Sequence, residues 1–189
     1  PTAAHVIGGS GIRAAANAGV TSIEHGYWLD AEDARVLEAC GTILVPTMTV
    51  SHLLARRVEI EGRAPSEQVV ERARRAEEAQ RTSLRHAMDA GVEIVAGTDL
   101  APGTLVQELQ LLHETGLGID ATLRSATSSA AALLRQADIG HIRTGARADI
   151  LVVEGDPRRD LRALATPLLV FVNGVPVAGA GVDDTTADV

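Results

Sequence analysis

At 189 residues and 46% hydrophobic content, the chain is long enough to bury a sizeable core and too apolar to be disordered. Its formal net charge of -8, with the basic residues scattered rather than striped, argues against a nucleic-acid partner. No apolar run nears the roughly 20 residues of a membrane span, no signal segment opens the chain, and the single Cys40 can form no internal disulfide, which together point to a cytoplasmic setting.

A strand is expected over residues 2–6, already under way near Pro1, so further sequence is expected upstream. Gly8 to Gly11 then makes a turn, Ile12, Ala15, Ala16 and Gly19 have the spacing of a short helix, and residues 20–24 form a β-branched buried strand. Strand, helix and strand joined by small linkers is the pattern of a parallel crossover. The next helix has Asp30 as N-cap, Glu32 and Asp33 in its first turn, Val36, Leu37 and Cys40 on one face, and Gly41 as its stop.

An apolar strand follows over residues 42–47, with Pro46 near its exit, then an irregular charged stretch over residues 50–65. Ser66 caps a long helix to about Ala90, ended by Gly91. Val69, Ala73, Ala76, Gln80, Leu84 and Ala87 form its apolar stripe, and the rest is a solvated outer face that includes His86. Residues 92–97 read as a third buried strand delivering Thr98 and Asp99, and helices follow over residues 105–115 and 120–134, the second capped by Asp120. The alternation is that of an α/β fold with a parallel sheet. Beyond Gly140 the texture changes to short strands over residues 148–153, 169–172 and 175–177, with Asn173-Gly174 as a hairpin turn, and residues 179–189 read as a disordered tail.

Three metal-capable side chains, His5, His25 and Asp99, fall at the exits of separate expected strands. In a parallel barrel those exits share one face, so residues far apart in sequence can converge there. Imidazole nitrogen and carboxylate oxygen suit zinc and similar divalent ions, and a carboxylate beside the metal can also take the proton of an attacking water. Each residue has a plainer role open to it: a strand-end histidine is commonly structural, and an aspartate there can cap the following turn. Tyr27 and Trp28 follow His25, in an expected loop over the site. They face the substrate or seal the loop against the next helix. His52, past the strand ending at Thr47, is a further candidate for the site face, whereas His113 and His141 read as structural.

Six ordered motifs resemble the amidohydrolase superfamily: Ala-x-His5-x-x-Gly with Ile12-Arg13-x-Ala, Ala18-Gly19-Val20-x-Ser22-Ile23-Glu24-His25-Gly26, Val45-Pro46-Thr47, Gly97-Thr98-Asp99, Gly140-x-Ile142-x-x-Gly145, and Ala148-Asp149-Ile150-Leu151-Val152-Val153-x-Gly155-Asp156-Pro157. The likeness covers nearly the whole chain and is strongest to the imidazolonepropionase-related and prolidase-like branch. It implies a distorted (β/α)8 barrel flanked by a small β-sandwich. By that resemblance His5 corresponds to the fifth-strand metal histidine, His25 to the sixth-strand histidine and Asp99 to the eighth-strand aspartate that activates water. The implied reaction is metal-dependent hydrolysis of a C–N bond in an amide, cyclic amide or dipeptide, with zinc as the expected ion.

The resemblance also has gaps. The family pattern needs a His-x-His pair on the first strand and, in two-metal members, a carboxylated lysine on the fourth. This chain has no His-x-His among its six histidines, and all 17 basic residues are Arg. Ala146-Arg147 stands where the family usually has Gly-Lys, a solvent-side change read as neutral. The implied layout is therefore the second half of the barrel over residues 1–137, the C-terminal share of the β-sandwich over residues 138–178, and the tail. An N-terminal half, or a second copy of the chain, is the expected partner. The alternative is a non-catalytic half-barrel that persists as a fragment or an assembly partner.

Overall fold

The computed structural model of the chain describes residues 1–60, 62–100 and 103–179, so the expected tail beyond Gly179 lies outside the described residues. Three parallel strands, β1 (Ala3–Gly8), β2 (Ser22–Trp28) and β3 (Ile43–Val45), lie side by side in chain order. Ala3 pairs with Ser22, His5 with Glu24 and Glu24 with Val45, so these five residues share one face of the sheet. Ala4, Ile23 and Leu44 pair across the other face.

That second face is covered by helices α1 (Ser10–Asn17), α2 (Ala31–Cys40) and α4 (Glu67–Ala90). Ile12, Ala16, Ile23, Leu37, Leu44 and Leu84 meet there, each no more than 1% exposed. Each large side chain among them contributes roughly 1.5–3 kcal/mol by leaving water. The ends of α2 are those the sequence specifies. Asp30 accepts from the amides of Glu32 and Asp33, Asp33 returns a bond to the Asp30 amide, and Gly41 closes the helix with φ 65. Cys40 is exposed rather than on the buried face, with its thiol 3.8 Å from the Asn17 side-chain oxygen.

Several segments depart from the sequence reading. The stretch expected to be irregular begins with a helix, α3 (Met48–Ala55). On α4 the buried stripe starts at Val70, with Val69 turned out at 39% exposure, because the stripe advances in steps of three at this end. His86 on α4 is half-buried rather than solvated, its Nδ1 3.1 Å from the Leu29 carbonyl. Residues 92–97 form no extended strand. They touch β3 through a single parallel bridge, Leu44 to Ile94, after which the Ala96 amide donates to the Ser125 carbonyl instead. Pro46 ends β3 and has no amide to carry the ladder further.

Beyond α5 (Leu105–Thr115), the single helix expected over residues 120–134 is two, α6 (Ile119–Ser125) and α7 (Ser128–Leu133), and Gly118 rather than Asp120 is the N-cap. The Ser125 and Thr127 hydroxyls donate back to the carbonyls of Thr122 and Leu123, and this local bonding competes with the helix ladder at the break. Asp120 pairs instead with Arg158 at 2.8 Å. The C-terminal strands β4 (Ile150–Val153), β5 (Pro167–Val172) and β6 (Val175–Gly179) form a separate antiparallel sheet. Its hairpin turns at Asn173 and Gly174 with φ 51 and 80, the paired left-handed residues of the tight turn that Asn-Gly favours. Between β4 and β5, Leu161 buries itself in the same core as the parallel sheet. Among the described residues, no helix is long and apolar enough to cross a membrane.

Candidate metal centre

His5 and His25 come together. Their imidazole centroids are 4.5 Å apart at an interplanar angle of 70°, an edge-on contact between neighbouring strands. The Tyr27 ring stands edge-on to His25 from the other side, 5.7 Å away. β2 runs on through His25 to Trp28, so the two aromatics belong to the strand rather than to a loop. Tyr27 faces His25. Trp28 is half exposed and lines a groove of about 380 Å³ against α4, beside Arg75, Ser83 and His86. His52 is carried away on α3, where its Nδ1 lies 3.0 Å from Glu77 of α4.

Three non-glycine residues in this region hold left-handed backbones: His25 (φ 78), Thr47 (φ 48) and Asp99 (φ 52). Such conformations cost of order 1–3 kcal/mol each and persist only where the surroundings enforce them. For the β-branched Thr47 the conformation is an outlier. Gly26 next to His25 is also left-handed, and a Cβ there would stand 2.8 Å from the Leu44 side chain, so glycine alone lets β2 bend over the core at this point.

The surroundings are polar and supplied largely by α4 and α5. Ser83 of α4 donates to the Tyr27 carbonyl at 2.8 Å and accepts from the Leu29 amide at 2.9 Å. Gln80 donates to the Pro46 carbonyl at 2.8 Å and accepts from Ser51. Glu108 of α5 is fully buried, and its carboxyl accepts from the amides of Met48 and Thr49 and from the Thr49 hydroxyl. Burial pushes that carboxyl up to about 7 against the pull of these three donors. Thr47 offers its hydroxyl 2.7 Å from His25 Nδ1.

Burial, then the neighbouring His5, lowers the His25 pKa, while Asp99 pulls it the other way. The imidazole is thereby held neutral, the form in which it can ligate a metal. Glu24, register partner of His5, is raised by burial, opposed by a 2.6 Å hydrogen bond from Ser22 and reinforced by Asp99. Tyr27 is likewise raised, first by burial, with Asp99 adding to it. The field of Asp99 thus reaches His25, Glu24 and Tyr27. Two imidazoles and a nearby carboxylate suit a zinc-like ion in kind. Yet no group of three His, Cys, Asp or Glu among the described residues is gathered closely enough to hold one.

Sequence reasoning gave no role to Thr47, Glu108 or Glu24, although Thr47 and Glu24 stand inside the quoted motifs. For Glu108 a signal was present: it stands between Leu105, Leu109 and Leu112 on the apolar stripe of α5, where a carboxylate needs a buried partner.

Residues 1–177 match the model of the amidohydrolase family. The chain belongs to that family. Among its relatives is the ochratoxinase of Aspergillus niger, 29% identical over 171 residues that make up 88% of this chain and 35% of that protein. The imidazolonepropionase of Salinispora arenicola is 25% identical over 177 residues, 89% of this chain and 40% of that protein. The fold is also similar to the crystal structure of a Xaa-Pro dipeptidase with bound methionine in the active site. The TM-score is 0.84 at 32% identity, covering 94% of this chain and 44% of the dipeptidase. This amidohydrolase chain therefore spans less than half the length of the relatives it matches.

Proposed function

We propose that the chain carries half of a (β/α)8 hydrolase barrel over residues 1–137 and part of a small β-sandwich over residues 138–178, and that the completed enzyme hydrolyses C–N bonds of amides, cyclic amides or dipeptides. One observation carries this reading: two imidazoles from adjacent strands in edge contact, one of them held neutral, within the field of the Asp99 carboxylate. The kinship with the ochratoxinase and the dipeptidase supports the reaction class. Cys40, the sole cysteine, is free, in keeping with a cytoplasmic setting.

A divalent ion held here, zinc in this reading, would supply Lewis-acid chemistry and would lower the pKa of a water to about 7. His5 and His25 would hold it as neutral ligands with Asp99. Asp99 would take the proton of the attacking water on a carboxylate oxygen and return it to the departing amine nitrogen. Of the three side chains expected to line the substrate, Tyr27 is the one beside the imidazoles. The remaining ligands would come from further sequence or a second copy. Metal analysis of the purified chain tests the reading. About one tightly held zinc per chain, lost in His5→Ala and in His25→Ala with the fold kept, is expected. No metal at all would favour a non-catalytic half-barrel.

The open face of the sheet supports the partner half of the proposal. Among the described residues β1 pairs only with β2, and beside it lies a cavity of about 360 Å³ lined by Ala3, Val45, Val95, Leu133 and Leu134. An unpaired edge next to an apolar surface is an association hazard. By light scattering the chain alone is expected to self-associate or aggregate, and a clean particle of the 19.7 kDa chain mass would overturn this part.

A further inference from the structure

Thr47 occupies the N-cap position of α3, where a threonine hydroxyl ordinarily accepts from an amide in the first turn of its own helix. Here it makes no such bond. The leading amides are taken by Glu108, 60 residues on: one carboxyl oxygen accepts from Met48 N at 2.9 Å, the other from Thr49 N at 2.8 Å and from Thr49 Oγ1 at 2.6 Å. Gln80 pins the Pro46 carbonyl from the opposite side. With its capping duty met by another helix, the Thr47 hydroxyl is released to His25, and the left-handed backbone that a β-branched residue would otherwise avoid is held at φ 48.

We propose that Thr47 is a positioning residue for His25: its hydroxyl accepts the Nδ1 proton, orients the ring and fixes the tautomer that leaves Nε2 unprotonated, while Glu108 and Gln80 hold Thr47 in place. The direction of the hydrogen bond is part of the proposal, and the proton count of a hydroxyl allows it. A hydroxyl has one proton and two lone pairs. With its own proton turned away from the ring, the Thr47 hydroxyl keeps a lone pair 2.7 Å from Nδ1 to accept the Nδ1–H. The inference rests on the metal reading only for what the free Nε2 lone pair is used for. The tautomer is a property of this chain by itself.

Nitrogen-15 NMR of the full chain without metal, above the ordinary imidazole pKa of about 6.5, reads which ring nitrogen carries the proton. The parent is expected to show His25 protonated at Nδ1. Thr47→Ser, which keeps the hydroxyl, should match it. Thr47→Val, which keeps the shape and removes the hydroxyl, should lose the single tautomer. A parent protonated at Nε2 overturns the proposal whatever the variants do, and so does a Thr47→Val spectrum identical to the parent's. Zinc titration separates this result from the functional reading. Thr47→Val should bind zinc roughly 10–100-fold more weakly and Thr47→Ser like the parent, and equal affinity in Thr47→Val and the parent removes the positioning role. A parent that takes up no zinc, yet shows the Nδ1 proton, sinks the metal reading and leaves the tautomer assignment standing.

Discussion

The two faces of the parallel sheet are made by alternate residues of the same strands, yet they differ in almost every physical respect. On one face Ile23 and Leu44 are sealed under α1, α2 and α4. On the other, His5 is exposed and Glu24 half-buried beside the buried Ser22, and Ile7 of β1 is left 37% exposed. Packing is thus concentrated on one side of the three-stranded sheet, so substitutions one residue apart should have different kinds of consequence.

The largest effect is expected at Asp99. On the proposed reading of Asp99 as general base, Asp99→Asn should lower kcat of the whole enzyme by about 10²–10⁴-fold, the usual worth of such a group. A variant keeping more than about a tenth of the activity would remove Asp99 from that role. On the packed side, Ile23→Ala should cost about 2–5 kcal/mol in denaturant unfolding. His5→Ala, on the open face, should stay within about 0.5 kcal/mol of the parent. Equal losses from the two would erase the contrast between the faces.

Glu108 sharpens the comparison through pH. Its carboxyl is raised from about 4.5 to about 7, so between those values the folded chain keeps a proton that the unfolded chain has released. Stability from this group is full below pH 4.5 and falls as the pH rises through about 7, by about 3 kcal/mol in all. Urea titrations across that window should show the fall, and Glu108→Gln should flatten it. A parent whose stability rises over the same window, with no difference from the variant, would place the proton elsewhere. The smallest effect is expected at the exposed pair of Arg158 and Asp120, where Arg158→Ala should leave the thermal midpoint unchanged, because solvent screens both charges.

Much of this was legible in the chain itself. The caps of α2 and α4 and the Asn173-Gly174 turn follow from local rules that act within a few residues, whereas His5 and His25, expected at strand exits, lie inside β1 and β2. The segments that were not legible depend on distant partners. α3 was read as irregular because the donors of its first turn are satisfied by Glu108, which no window around Met48 contains. The bridge at Ile94 is short because β3 ends at Pro46, and the break before Ser128 reflects hydroxyls bonding backward. At the site, two imidazoles could be placed by their strands. The tie between Thr47 and His25 could not, since it exists only after three helices have set the loop.

That dependence gives the chain an order of events. Eight residues make too short a helix to persist in water unaided, and the carboxyl that completes α3 arrives only with α5. During synthesis, β1, β2 and their crossover helix can begin to pack as soon as they emerge. The Thr47 corner has to wait until the polypeptide has been extended past Glu108, so His25 gains its hydroxyl partner among the last contacts to form. A product cut short between Ala90 and Leu105 would keep both histidines on their strands and still lack the corner that orients one of them.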